Sequence, residues 1–139
     1  MQAVERKLGR IFQISIDEGE DFFEELNRFI KAENIRAGSV FVFGAMHTVD
    51  MISGFRSLEG YDIDRRCFKD RRELVGLGNI SWPDSPPAAL GDAAWDEPRP
   101  FVHIHMAMSG GAGKNEAVLV GHLSGANVQK AFVEIYEFL

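Results

Sequence analysis

Cysteine is nearly missing from this sequence. Cys67 stands alone among 139 residues, so no intrachain disulfide can form and a multi-cysteine zinc site is excluded; any metal must take other ligands. That usage fits a reducing compartment, and a cytoplasmic location is expected. Basic charge is also short, with fifteen Lys and Arg against twenty-one Asp and Glu and a net charge of −6. The sign is wrong for a protein whose whole surface neutralises phosphates, which excludes wholesale coating of nucleic acid. No apolar run approaches the ~20 residues needed to cross a bilayer. Met1-Gln2-Ala3-Val4-Glu5-Arg6-Lys7 lacks the apolar core of a signal peptide, so no membrane role is expected. Proline is missing before Pro83 and after Pro100. What is present, 45% hydrophobic and 26% charged residues, suits one packed domain over residues 1–139.

The periodicity predicts alternating strands around one secure helix. Gly9 to Ile16 places Phe12, Ile14 and Ile16 two apart, as a half-buried strand does. After an acidic start, Phe22, Leu26, Phe29 and Ile30 recur at helical spacing, with Arg28 and Lys31 where the helix dipole favours cations. Ser39 to Val42 reads as a short buried strand ending at Gly44, and Thr48 to Phe55 as the next one. Leu58 to Arg72 is polar and is expected to be a connection. Glu73 to Ser81 resumes a strand, and its Gly76 and Gly78 suggest a bulge or a close backbone approach. All five prolines crowd Trp82 to Pro100, a long irregular connection too apolar for a simple linker. Phe101 to Met108 and Ala117 to Leu123 are strands joined by the glycine-rich turn 109–116, suited to a hairpin. Asn127 to Leu139 fits a helix or a strand by pattern alone.

Three of the four histidines fall in this carboxyl-terminal hairpin. His103 and His105 are two apart and share one face of a strand, with Val102, Ile104 and Met106 on the other. A neighbouring antiparallel strand can bring His122 beside them. Three imidazoles suit a divalent transition metal, zinc above all, and leave a fourth position open for water or a small-molecule ligand. The competing reading is of surface or hydrogen-bonded histidines on an amphipathic strand. His47, after a Gly-Ala-Met turn, reads as an ordinary loop histidine or as an extra ligand or proton carrier.

Arg65, Arg66, Lys69, Arg71 and Arg72 gather five of the fifteen basic residues in one short run, the sole local candidate for contact with nucleic-acid phosphates. A solvated, salt-bridged face is the alternative. Gly110-Gly111-Ala112-Gly113-Lys114-Asn115 lacks phosphate-loop spacing and does not open a helix. Cys67 lies beside arginines that favour a thiolate, but no base is assigned to it. Glu73, Asp84, Asp92, Asp96, Glu97 and Glu116 could support a metal or move protons, yet their spacing singles none out.

Taken in order, Gly19 to Leu26, Ile35-Arg36-Ala37-Gly38-Ser39, Gly44-Ala45-Met46, Glu73 to Ser81, His103-Ile104-His105 and Gly121-His122-Leu123 resemble the plants-and-prokaryotes-conserved (PPC) domain family. The resemblance spans nearly the whole chain. It implies an α+β fold with a mostly antiparallel sheet and flanking helices, a homotrimer, and a strand for the final segment. It also implies a metal, usually zinc, on His103, His105 and His122, and a DNA-binding or regulatory role. The fold is similar to that of acetolactate decarboxylase, so a zinc-dependent lyase or hydrolase acting on a small carboxylate or carbonyl compound is the alternative. A metal-stabilised interaction scaffold is the third reading. The chain departs from the family in carrying no Arg-Gly-Arg-Pro AT-hook, since Arg99-Pro100 lacks the preceding pair. His47, Val120 and the Trp82 to Pro100 connection are further departures.

Overall fold

The computed structural model describes residues 1–55, 63–91, 93–114 and 116–139. Its elements are β1 (Leu8–Ile16), α1 (Phe22–Glu33), β2 (Gly38–Phe55), β3 (Ile63–Phe68), β4 (Arg72–Ser81), a single 3-10 turn at Ala88–Leu90, β5 (Phe101–Met108) and β6 (Leu119–Phe138). Every strand pairing is antiparallel. The architecture is therefore α+β, with one helix among the described residues where the resemblance implied more than one.

The sheet closes on itself. β6 pairs with β2 along one edge, and along the other with β5 near its start and β1 near its end. Because β4 bridges β5 and β2, the strands β2, β4, β5 and β6 form a ring. Alternation sends Val40 and Val42 of β2, Val102, Ile104 and Met106 of β5, and Val133 and Ile135 of β6 into one core, all at most 3% exposed. α1 adds Phe22, Leu26 and Ile30 to that core. Asp21 caps the helix by accepting from the Glu24 backbone N–H at 2.9 Å, and Asn34 ends it in the left-handed conformation at φ 52°.

The long strands differ from the expected pattern. Residues 39–44 and 48–55 belong to one continuous β2, because its register against β6 slips at Ala45/Met46 and Met46/Thr48 and the strand bends instead of ending. The segments 119–123 and 127–138 likewise run together as β6, which resolves the ambiguous last segment as a strand. β3 was not expected. It occupies part of the polar stretch before Arg72, whose residues 58–62 lie outside the described set. As an edge strand paired only to β2, it needs no apolar face. The glycines of β4 mark close approach and no bulge: the register with β5 is unbroken, and a Cβ at Gly78 would collide with the His103 carbonyl.

Charge ties the ends of the chain to the helix. Arg10 on β1 donates to both carboxylate oxygens of Glu137, at 2.7 and 3.1 Å, and to Glu33 of α1 at 2.9 Å. Glu137 is only 6% exposed, and the Arg10 hydrogen bonds hold its pKa below the ordinary 4.5 against the opposing effect of burial. A lowered carboxylate pKa stabilises the fold fully above pH 4.5 and loses that contribution as pH falls through the folded-state value. Thermal melting followed against pH is therefore expected to fall below pH 4.5, less steeply for Glu137→Gln than for the native chain. Equal slopes would remove Glu137 from the account.

Candidate metal centre

The even-numbered residues of β5 fill the core, so His103 and His105 project from the opposite face. β4 backs this face, with Asn79 paired to His103 and Leu77 to His105. On the other side His122 of β6 pairs directly with His105. The ring centroids of His103 lie 5.0 Å from those of His105 and 4.9 Å from His122, and the His105–His122 separation is 5.8 Å. One ring nitrogen from each falls within 4.8 Å of the other two. Among the described residues this is the one cluster of at least three His, Cys, Asp or Glu side chains so arranged.

The donor set fits a divalent metal. Zn–N bonds of about 2.0–2.1 Å in a tetrahedron place ligand nitrogens about 3.3 Å apart, so small side-chain rotations close the triad. Neutral imidazole is the ligating form. Burial, then the nearby His103, His105 and Arg65, pushes the His122 pKa down to about 4. Burial and His105 lower that of His103. Phe101 stacks on His103 at 5.8 Å between ring centres and steadies its plane.

Other candidate residues go elsewhere. His47 lies outside the cluster and contacts Glu18 at 3.0 Å. In the basic run, Lys69 and Arg71 are exposed, Arg66 pairs with Asp64 at 3.0 Å, and Arg65 donates to the Ala89 carbonyl at 3.0 Å. Arg72 is a correction: at 2% exposure its guanidinium is committed to Asp70, Glu116 and the Ser109 carbonyl and lies 4.1 Å from the Phe68 ring centre, so it is not free to meet a phosphate. Lys114 of the glycine-rich turn joins the same network through Asp70 at 3.2 Å. Asn115 of that turn lies outside the described residues, as does Asp92. The Cys67 thiol donates to Asp50, which raises its pKa and opposes the thiolate that the neighbouring arginines suggested.

A cavity of about 970 Å³ reaches His122. Its walls come from α1, β3 and the end of the 82–100 connection, with Arg28, Lys31 and Arg99 joining Arg65 and Arg66. Sequence reading missed the first three, since they lie far apart in the chain and Arg28 and Lys31 serve equally as helix-terminal cations. The one local signal was Trp95 close to Arg99, whose guanidinium lies 4.2 Å from the indole ring centre.

No helix among the described residues is long and apolar enough to cross a membrane. No functionally curated protein matches the chain. Among solved structures, a metal-containing protein from Archaeoglobus fulgidus is 24% identical at a TM-score of 0.78, the match covering 99% of this chain and 86% of that one. A protein from Bacteroides thetaiotaomicron described as a suspected DNA-binding protein is 21% identical at 0.68, covering 95% and 82%. Acetolactate decarboxylase from Bacillus subtilis is 17% identical at 0.51, covering 91% of this chain but 52% of the enzyme, so the expected fold likeness holds over about half of it. At these identities the likeness is one of fold. The description of the Plants and Prokaryotes Conserved (PCC) domain matches residues 3–138, and the chain belongs to that family.

Proposed function

We propose that this protein is a cytoplasmic, homotrimeric zinc protein whose three-histidine centre acts on a small carbonyl or carboxylate compound, as a lyase or hydrolase does. The convergence of His103, His105 and His122, with ring nitrogens within 4.8 Å, carries the reading. A zinc ion held there supplies Lewis acidity toward a substrate oxygen. The protein's part is to present three imidazole donors with, among the described residues, no carboxylate in the cluster, which leaves the charge of the ion uncompensated and one position open. Of the three histidines the cavity is lined by His122, so a small molecule held in it would lie next to the centre. The name of the archaeal structure, a metal-containing protein, agrees with this reading.

The trimer rests on the outer face of the sheet. Phe41, Phe43, Val75, Leu77, Val120 and Phe132 are each between 42% and 66% exposed, and the register sets Phe43 beside both Val75 and Phe132. A contiguous apolar face of this kind is costly in water and favours self-association. Protein purified without an affinity tag is expected to hold about one zinc per chain by elemental analysis. It is expected to scatter light with three times the 15.5 kDa chain mass. The His103→Ala, His105→Ala double variant is expected to lose the metal. Metal-free native protein after zinc is added back would overturn the centre, and a monomer would overturn the trimer.

A DNA-binding or regulatory role is the second reading, favoured by exposed Arg65, Arg66, Lys69 and Arg71 and by the Bacteroides protein's description. It predicts duplex binding that weakens as salt rises and on neutralising these four side chains. No binding at low salt would exclude it.

A further inference from the structure

The chain carries a net charge of −6, yet the cavity that reaches His122 does not share that sign. Arg28, Lys31, Arg65, Arg66 and Arg99 line it against two carboxylates, Glu24 and Asp50. Some of this charge is already matched, since Arg28 pairs with Glu25 and Arg66 with Asp64. Arg65 and Arg99 are different. Each is held by one backbone carbonyl, of Ala89 at 3.0 Å and Ala94 at 2.9 Å, and neither has a carboxylate partner among the described residues. A guanidinium has five N–H donors, so each keeps most of its donors available while its position is set. Lys31 has no side-chain partner among the described residues.

Much of the remaining wall is aromatic or apolar. Trp95, Phe101, Phe23, Pro100 and Leu90 line the same space. Trp95 is fixed by donating its indole N–H to the Pro83 carbonyl at 2.9 Å and by the Arg99 guanidinium over its ring. Trp82 anchors the start of the same connection by donating to the Ile35 carbonyl at 2.8 Å, with Arg36 stacked 3.9 Å from its ring centre. The proline-rich stretch is thus pinned at both tryptophans, and its Ala89, Leu90, Trp95, Arg99 and Pro100 form one side of the cavity. Asn27 lines it too, and its buried Oδ1 has no partner among the described residues, an acceptor that a ligand O–H or N–H would satisfy. A volume of about 970 Å³ holds a drug-sized molecule.

We infer that the 82–100 connection, α1 and β3 form a binding site for a small anion with a flat aromatic body, its carboxylate or phosphate held by Arg65 and Arg99 and its ring lying along Trp95 and Phe101. This deepens the reading of the metal centre by placing such a ligand beside His122. The binding itself needs only the cavity, so it stands or falls apart from the metal.

The test is calorimetric titration of the full-length protein, zinc-loaded and chelator-treated, with naphthoate, naphthyl phosphate and uncharged naphthol. At least one anion is expected to bind saturably, both to zinc-loaded and to metal-free protein, and roughly tenfold or more tighter than naphthol. The stronger of the two anions distinguishes a carboxylate ligand from a phosphate ligand. The Arg65→Gln, Arg99→Gln double variant is expected to lose that advantage, so that its affinities for the anions and for naphthol converge. Leu90→Glu, at a partly exposed wall position, is expected to weaken the anions in the same way and guards against a folding defect in the double variant. Failure of both anions to saturate at millimolar concentration would overturn the site. So would anion binding that ignores the arginines or that occurs only with zinc. Saturable binding in a chain that proves to hold no zinc would sustain the cavity and sink the metal reading alone.

Discussion

The pairing of β6 with β5 on one edge and β2 on the other is the constraint on which the rest of this structure depends. Side chains alternate along a strand, so a slip of one residue between β5 and β6 would turn Ile104 outward and carry the histidines into the core. The register that buries Val102, Ile104 and Met106 therefore also aims His103 and His105 at His122. Close backbone packing holds that register. A Cβ at Gly121 would lie 2.5 Å from the Ile52 carbonyl, and one at Gly78 would strike the His103 carbonyl, so larger residues would push β6 from β2 and β4 from β5 at the level of the triad. Core packing and site geometry are two results of one hydrogen-bonded ladder.

The closed ring sorts the surface into functional regions. Its inside is the apolar core, and its outer face carries the exposed phenylalanines, leucine and valines of β2, β4 and β6. The histidines sit on that outer face, with Leu77 beside His105 in the register. Charge is sorted as well. The acidic excess of the chain is spread over its surface, while guanidinium groups from three separate segments gather at the cavity that reaches His122. Buried Arg72 uses its charge to hold the glycine-rich turn through Asp70 and Glu116.

What was legible in the sequence follows from what is local. His103 and His105 share a face by a period of two, and the apolar residues that alternate with them name the buried side, so two of the three triad members could be read from one strand. His122 required only the assumption that the next strand returns antiparallel. The helix was legible because Phe22, Leu26 and Ile30 repeat at its period after an acidic start, with Arg28 and Lys31 near its end. β3 was hidden because an edge strand with Arg65, Arg66 and Cys67 in succession shows no apolar alternation, although its backbone pairs with β2. The unity of β2 and of β6 was hidden because bulges and glycines resemble chain breaks in one dimension. The burial of Arg72 was invisible because its carboxylate partners depend on how the turn folds back. The cavity left almost no trace, since it is assembled from pieces of α1, β3 and the proline-rich connection that meet only after folding.

The central claim is that the three histidines together hold one metal ion. X-ray absorption at the zinc edge of the purified protein tests it most directly, because imidazole rings give a distinctive outer-shell pattern. The account predicts three imidazole nitrogens and one further light atom at about 2.0–2.1 Å. A zinc site with one imidazole or none would contradict it.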